Sequence, residues 1–114
     1  MIHMLSSFDL KPGEDFNAFA EAYHMFLADL RAQDIIAGAG PLARRVEDTP
    51  MDTDEERTQK YFSVMSFRDR AQLDAAYAHI EARRSGTASH LRMYRRLTNS
   101  VFLCWEDISK EDQS

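Results

Sequence analysis

Cysteine is almost missing from this chain, and the single one present, Cys104, has no second thiol to pair with in the same molecule. That excludes an internal disulfide and a thiolate-rich zinc site, and it fits a reducing compartment. Also missing is any run approaching the roughly 18 apolar residues of a membrane span. The start, MIHMLSSFDL, has neither a basic leader nor a continuous apolar stretch, so a cytoplasmic protein with no membrane partner is expected. Positive charge is in deficit, with 14 Lys and Arg against 19 Asp and Glu and a net charge of −5. A general nucleic-acid binder needs a basic surplus on one face, so no such partner is expected. Internal repeats and low-complexity tracts are absent as well.

What is present is the composition of one globular domain spanning 1–114, with 44% hydrophobic and 29% charged residues. A chain of this size buries roughly 65% of its unfolded surface in one core. Its most informative stretch is Gly13 to Gln33. At 3.6 residues per turn Phe16, Phe19, Ala20, Tyr23, Leu27 and Leu30 share a stripe, with Phe26 at its border and Met25 opposite. This is an amphipathic helix of about six turns, whose aromatic stripe demands a flat apolar cover.

Strand-like segments flank it. Ile2 to Leu10 alternates, with Ile2, Met4, Ser6 and Phe8 on one side and His3, Leu5 and Ser7 on the other. Lys11-Pro12-Gly13 breaks this strand, and Glu14 and Asp15 place negative charge at the helix start. The helix should stop near Asp34, before Gly38, Gly40 and Pro41. Leu42 to Glu47 reads as a short edge strand. Residues 47–57 carry six carboxylates and Pro50 and read as an acidic loop. Thr58 to Phe67 reads as a third strand. Asp69 can cap a second helix, Arg70 to Arg84, with Leu73, Ala76, Tyr77 and Ile80 inward and Gly86 as its C′ residue. Thr87 can cap a short third helix bearing His90, Met93, Tyr94 and Leu97 on one side. After Asn99-Ser100, Val101 to Trp105 reads as a fourth strand, and 107–114 as a frayed tail.

The order strand, helix, strand, strand, helix, strand predicts an α+β, ferredoxin-like βαββαβ fold with a four-stranded antiparallel sheet. Two helices cover one face of such a sheet. The other would display some of His3, Leu5, Tyr61, Met65, Phe67, Leu103 and Trp105, more apolar surface than a monomer leaves wet, and a second copy packed sheet to sheet is the economical cover.

With this element order, and with the run from Phe62 to Tyr77 (FSVMSFRDRAQLDAAY) as a strand followed by an Asp-capped helix, the chain resembles the dimeric α+β barrel superfamily. Antibiotic-biosynthesis monooxygenase-like and stress-responsive barrel proteins belong to it, together with many uncharacterised members. The resemblance implies a homodimer with an interior cavity, in a superfamily where some members oxidise small aromatics without metal or cofactor. It assigns no catalytic residue.

Four histidines, His3, His24, His79 and His90, show no short metal-ligand spacing, so no metal and no cofactor are expected. His3 either enters a partly dry cavity on the side of Leu5 and Ser7 or is a hydrogen-bonded residue near the chain start. His90 either borders a cavity mouth or packs against its apolar neighbours. Tyr61 and Trp105 can stack on an aromatic ligand or pack a dimer, and Arg44 or Arg45 can hold a carboxylate or solvate an edge. Arg83, Arg84, Arg92, Arg95 and Arg96 form a basic cluster that either binds nucleic acid or phosphate or solvates a face and pairs with acidic segments, for which the acidic loop is an available partner. Gly38-Ala-Gly40 lacks a third glycine opening a helix and is not a dinucleotide fingerprint. Cys104, between Leu103 and Trp105, reads as a buried small hydrophobe. Three functions follow from these features: binding of a compact apolar or aromatic, optionally anionic, small molecule; cofactor-independent oxygenation or isomerisation with His3 or His90 as base; and a packed structural scaffold.

Overall fold

The computed structural model describes residues 1–81 and 88–109. At its centre lies strand β1, Ile2–Leu10, and the helix α1, Phe16–Ala32, runs back across the sheet from it. Asp15 is the N-cap of α1, its carboxylate accepting from the Ala18 amide at 3.1 Å. At the far end Asp34 takes a left-handed conformation (φ 55°), which lets the Ile35 amide close back onto the Leu30 carbonyl at 3.0 Å. The chain then forms β2, Gly38–Ala39, and β3, Ala43–Arg44, before the loop that leads into β4, Tyr61–Phe67. Helices α2, Arg70–Glu81, and α3, Ala88–Tyr94, precede the last strand, β5, Leu97–Glu106.

The sheet is antiparallel, in the order β2, β4, β1, β5, with β3 also on β4. β2 and β3 are two fragments of one edge, interrupted by Gly40 and Pro41. A side chain at Gly40 would place its Cβ 3.2 Å from that of Val64, while the Gly40 amide bonds the Val64 carbonyl at 2.8 Å, so a larger residue here fits only if Val64 gives by a few tenths of an ångström. The predicted strand from Leu42 to Glu47 is corrected to Ala43–Arg44, and the same edge carries a further fragment, Gly38–Ala39, ahead of Pro41, which donates nothing to the ladder. β5 is longer than predicted: a bulge opposite Ser7 to Asp9, with Asn99 at φ 54°, absorbs the Asn99-Ser100 turn signal inside the strand.

The helices cover one face of the sheet. Phe8, Phe19, Phe26 and Leu30 are fully buried between the layers, and each such side chain contributes roughly 1.5–3 kcal/mol. Phe8 meets Phe19 with ring centres 5.2 Å apart, and Phe16 stacks on Tyr61 at 5.3 Å. Register decides which β4 residues join them: Phe67 pairs with Ile2, Met65 with Met4 and Tyr61 with Phe8, so Tyr61, Met65 and Phe67 face the helices and not the open face. The open face instead carries His3 and Leu5, Phe62 and Val64, and Leu103 and Trp105, the last two 47% and 58% exposed. Tyr77, expected inward, is exposed, and α2 buries Gln72 and Ala76. The Gln72 carboxamide accepts from the Arg68 amide at 2.7 Å and donates to the Asp34 carbonyl at 3.2 Å, joining the end of α1 to the start of α2. Asp69 caps α2 through the Gln72 amide at 2.9 Å, as predicted. Cys104, expected buried, is exposed on the edge strand β5. Arg83, Arg84, Gly86, Thr87 and tail residues 110–114 lie outside the described residues. Asp107 is held, its amide bonding the Met1 carbonyl at 2.9 Å.

Candidate functional site

A cavity of about 70 Å³ lies between the sheet and the helices. It offers several times the roughly 10–15 Å³ that one water needs. Its walls are apolar, built from Phe19 and Phe26 of α1, Met4 and Met65 of the sheet, and Met93 of α3. Three hydroxyls of buried residues break that apolar surface. Ser6 and Ser63 are paired across β1 and β4 and are both buried. Tyr23, 3% exposed, projects from α1, and its Oη has no hydrogen-bond partner among the described residues. The Ser63 hydroxyl lies near it, short of a formed bond, and Arg31 adds a weak attraction; burial outweighs both and pushes the phenol above its usual range. Tyr23 is therefore a neutral phenol without a fully formed hydrogen bond among the described residues. The other unpartnered buried atom, Gln59 Oε1, lies away from the cavity, where the amide nitrogen of Gln59 donates to the Asn99 carbonyl at 2.9 Å.

His90 closes the cavity from α3. Its ring is tilted against Phe26 and stacked on Tyr94, each at 5.2 Å, and Tyr94 in turn stacks on Phe102 at 6.4 Å. Tyr94 and Phe102 are partly exposed and form the mouth. Burial lowers the pKa of His90 from 6.5, so the ring is neutral at pH 7 and has a nitrogen lone pair.

Of the six residues singled out from sequence, His90 alone lines this cavity. His3 lies on the open sheet face: Nε2 donates to Asp107 at 2.8 Å, and Nδ1 shares a hydrogen bond with the Ser66 hydroxyl at 2.8 Å. Trp105 is its cross-strand neighbour on that face. Tyr61 belongs to the aromatic core with Phe16 and Phe8. Arg44 is exposed on the edge fragment β3. Arg45 is occupied: it grips Asp52 through two bonds of 2.7 and 2.8 Å and also donates to the carbonyls of Asp54 (2.7 Å) and Arg57. Its role is to pin the acidic loop, and in return it holds the Asp52 carboxyl below its ordinary range. Asp54 is lowered to about 2 by the Arg57 side chain and by the amides of Glu56 and Arg57. The acidic loop thus pairs with Arg45, Arg57 and Lys60 and, among the described residues, not with Arg92, Arg95 or Arg96. Among the described residues no three metal-ligating side chains converge, and no helix is long and apolar enough to cross a membrane.

Tyr23, Ser6 and Ser63 were missed as site residues. The sequence placed Ser6 in the alternation of Ile2, Met4 and Phe8 and Tyr23 in the inward stripe of α1, but neither position by itself marks a site.

The sequence pattern of one family matches residues 1–107. The chain belongs to DUF6614, a family of unknown function. No protein of curated function matches this DUF6614 chain in sequence. Its fold is shared with At3g17210 from Arabidopsis thaliana, at a TM-score of 0.71 and 11% identity over 96% of this chain and 97% of that one. SnoaB, a cofactor-independent oxygenase from Streptomyces nogalater, superposes with a TM-score of 0.58 and 10% identity over 96% and 94% of the two chains. A dimeric ferredoxin-like protein of unknown function from Thermobifida fusca gives 0.60 and 10% over 91% and 88%. Identities this low carry the ferredoxin-like fold alone. The expected α+β fold and the superfamily resemblance agree with these neighbours.

Proposed function

We propose that this protein binds a compact, uncharged, apolar or aromatic small molecule bearing one hydrogen-bond acceptor, in the cavity between sheet and helices. The observation that carries this reading is the Tyr23 hydroxyl, buried without a partner in an apolar cavity beside Ser6 and Ser63. A buried donor left unmade costs about 1–3 kcal/mol, which an acceptor on a ligand recovers. No cationic side chain lines the cavity among the described residues, which favours a neutral ligand over an anion. The open sheet face, with Leu103 and Trp105 exposed beside Leu5, Phe62 and Val64, is the surface through which two copies associate, and the dimeric Thermobifida fusca neighbour supports that arrangement. Titration of isotopically labelled protein with phenol and with toluene tests the ligand reading. Phenol should move the amide signals of Ser6, Tyr23 and Ser63 and bind on the order of tenfold more tightly than toluene. Equal affinity, or shifts elsewhere, would refute it.

A second reading is enzymatic. Neutral His90 and protonated Tyr23 line one cavity, so His90 can take a proton from a carbon next to a carbonyl while Tyr23 donates to the enolate oxygen that forms. Solvent-deuterium uptake at that carbon of a bound ketone, lost in His90→Gln, is the expected result; uptake unchanged by the substitution would remove His90 from the chemistry.

A further inference from the structure

Two features of the sequence are left without a role by the cavity: Met25, on the side of α1 opposite the core stripe, and the arginines that follow His90. The fold brings them together. A groove of about 180 Å³ runs along the outer seam of α1 and α3. Ala18, Ala22 and Met25 recur at spacings of four and three along α1 and make its apolar wall, and Met25 is 52% exposed there. Arg92, Arg95 and Arg96 make the facing wall.

The guanidiniums are not equivalent. Arg96 is fixed: Nε donates to the Arg92 carbonyl at 3.1 Å and Nη1 to Glu14 at 2.7 Å, which leaves three of its five N–H groups unused by any described residue. Arg92 and Arg95 have no side-chain hydrogen bond or ion pair among the described residues. Part of their role is to offset the negative C-terminal end of α3, but that requires no apolar wall opposite. Among the described residues, three guanidiniums set against Glu21 of the groove and against Glu14, the partner of Arg96, leave one positive charge at the groove, within a chain whose net charge is −5. That balance matches a monoanion. A guanidinium fork suits a planar carboxylate, and the alanine floor with Met25 suits a short aliphatic or aromatic body.

We infer that the groove between α1 and α3 is a binding site for a small amphipathic monocarboxylate, separate from the cavity on the other side of α1. Its carboxylate sits on Arg92, Arg95 and Arg96, and its apolar body lies on Ala18, Ala22 and Met25.

The test uses octanoate, octanol and inorganic phosphate as probes of the full chain in amide-resolved NMR titrations. Octanoate should shift the signals of residues 18–25 and 88–96. Octanol and phosphate should each bind at least tenfold more weakly, since one lacks the charge and the other the apolar body. The double variant Arg92→Gln, Arg95→Gln should weaken octanoate at least tenfold, and Met25→Glu, on the other wall, should do the same; both sites are exposed, so the two variants test the site independently. Octanoate shifts confined to Ser6, Tyr23 and Ser63 would place it in the cavity and overturn the inference. So would affinity equal to that of phosphate, or binding unchanged in either variant. Failure of the cavity reading with phenol leaves this result unaffected.

Discussion

Removing one oxygen atom from the core should make the empty protein more stable and the occupied protein less so. In Tyr23→Phe the ring keeps its stacking on Phe19 at 6.1 Å, and only the hydroxyl is lost. That hydroxyl is buried and has no partner among the described residues, so in the empty chain it contributes a desolvation cost of about 1–3 kcal/mol with no bond in return. The nearby Ser63 hydroxyl relieves part of it, which places the gain on substitution near the lower end, about 1 kcal/mol. For a domain of this size that raises Tm by about 4 °C. With ligand bound the sign reverses: one hydrogen bond in a dry site is worth about 1.4 kcal/mol, a tenfold rise in Kd. Paired calorimetric scans of wild type and variant, with and without phenol, measure both effects at once. A variant that melts lower than wild type when empty would show that the hydroxyl is already satisfied, and the argument for an acceptor-bearing ligand would fail with it.

Leu103→Asp places a charge on the open sheet face opposite Leu5 and should shift the dimer to monomer in sedimentation at micromolar concentration, with the secondary structure unchanged; an unaltered dimer would exclude this face as the interface. Arg45→Ala removes the clasp on Asp52 and the carbonyls of Asp54 and Arg57, so amide exchange across 47–57 should accelerate on the order of tenfold while the core strands stay protected. Unchanged exchange would mean that the loop holds itself. His90 sets a pH dependence. Its folded pKa lies below 6.5, so the unfolded chain binds more protons between that lowered value and 6.5, and stability falls as pH drops through this window. Urea midpoints should decline from pH 7.5 to 5.5 in wild type and decline less in His90→Gln; parallel profiles would show that His90 is not desolvated.

Features set by neighbouring residues were legible in the sequence. Asp69 announces its helix because a cap acts within three residues, Glu14 and Asp15 announce theirs by charge, and the α1 stripe announces itself because helical period and burial coincide. Features that depend on a strand from elsewhere in the chain were not. Tyr61, Met65 and Phe67 alternate with Phe62 and Val64, both sets are apolar, and only pairing with β1 decides which set meets the helices. Arg45 illustrates the same limit for a site: an arginine beside an edge looks available until a carboxylate seven residues on closes over it. The cavity was half legible. His90 was singled out from its apolar neighbours, whereas Tyr23 and the two serines look like ordinary members of their alternations until the helix is laid across the sheet.

The break between β2 and β3 also limits what the molecule can assemble into. A sheet with two good edges has a valence of two, and molecules adding at both ends grow without limit. Here one edge consists of two dipeptides separated by Gly40, Pro41 and Leu42, too short and too irregular to template a neighbour, so among the described residues the long β5 is the single edge able to do so. With a valence of one, edge-to-edge pairing terminates at a pair, and the interruption acts as a chain stopper against fibril growth.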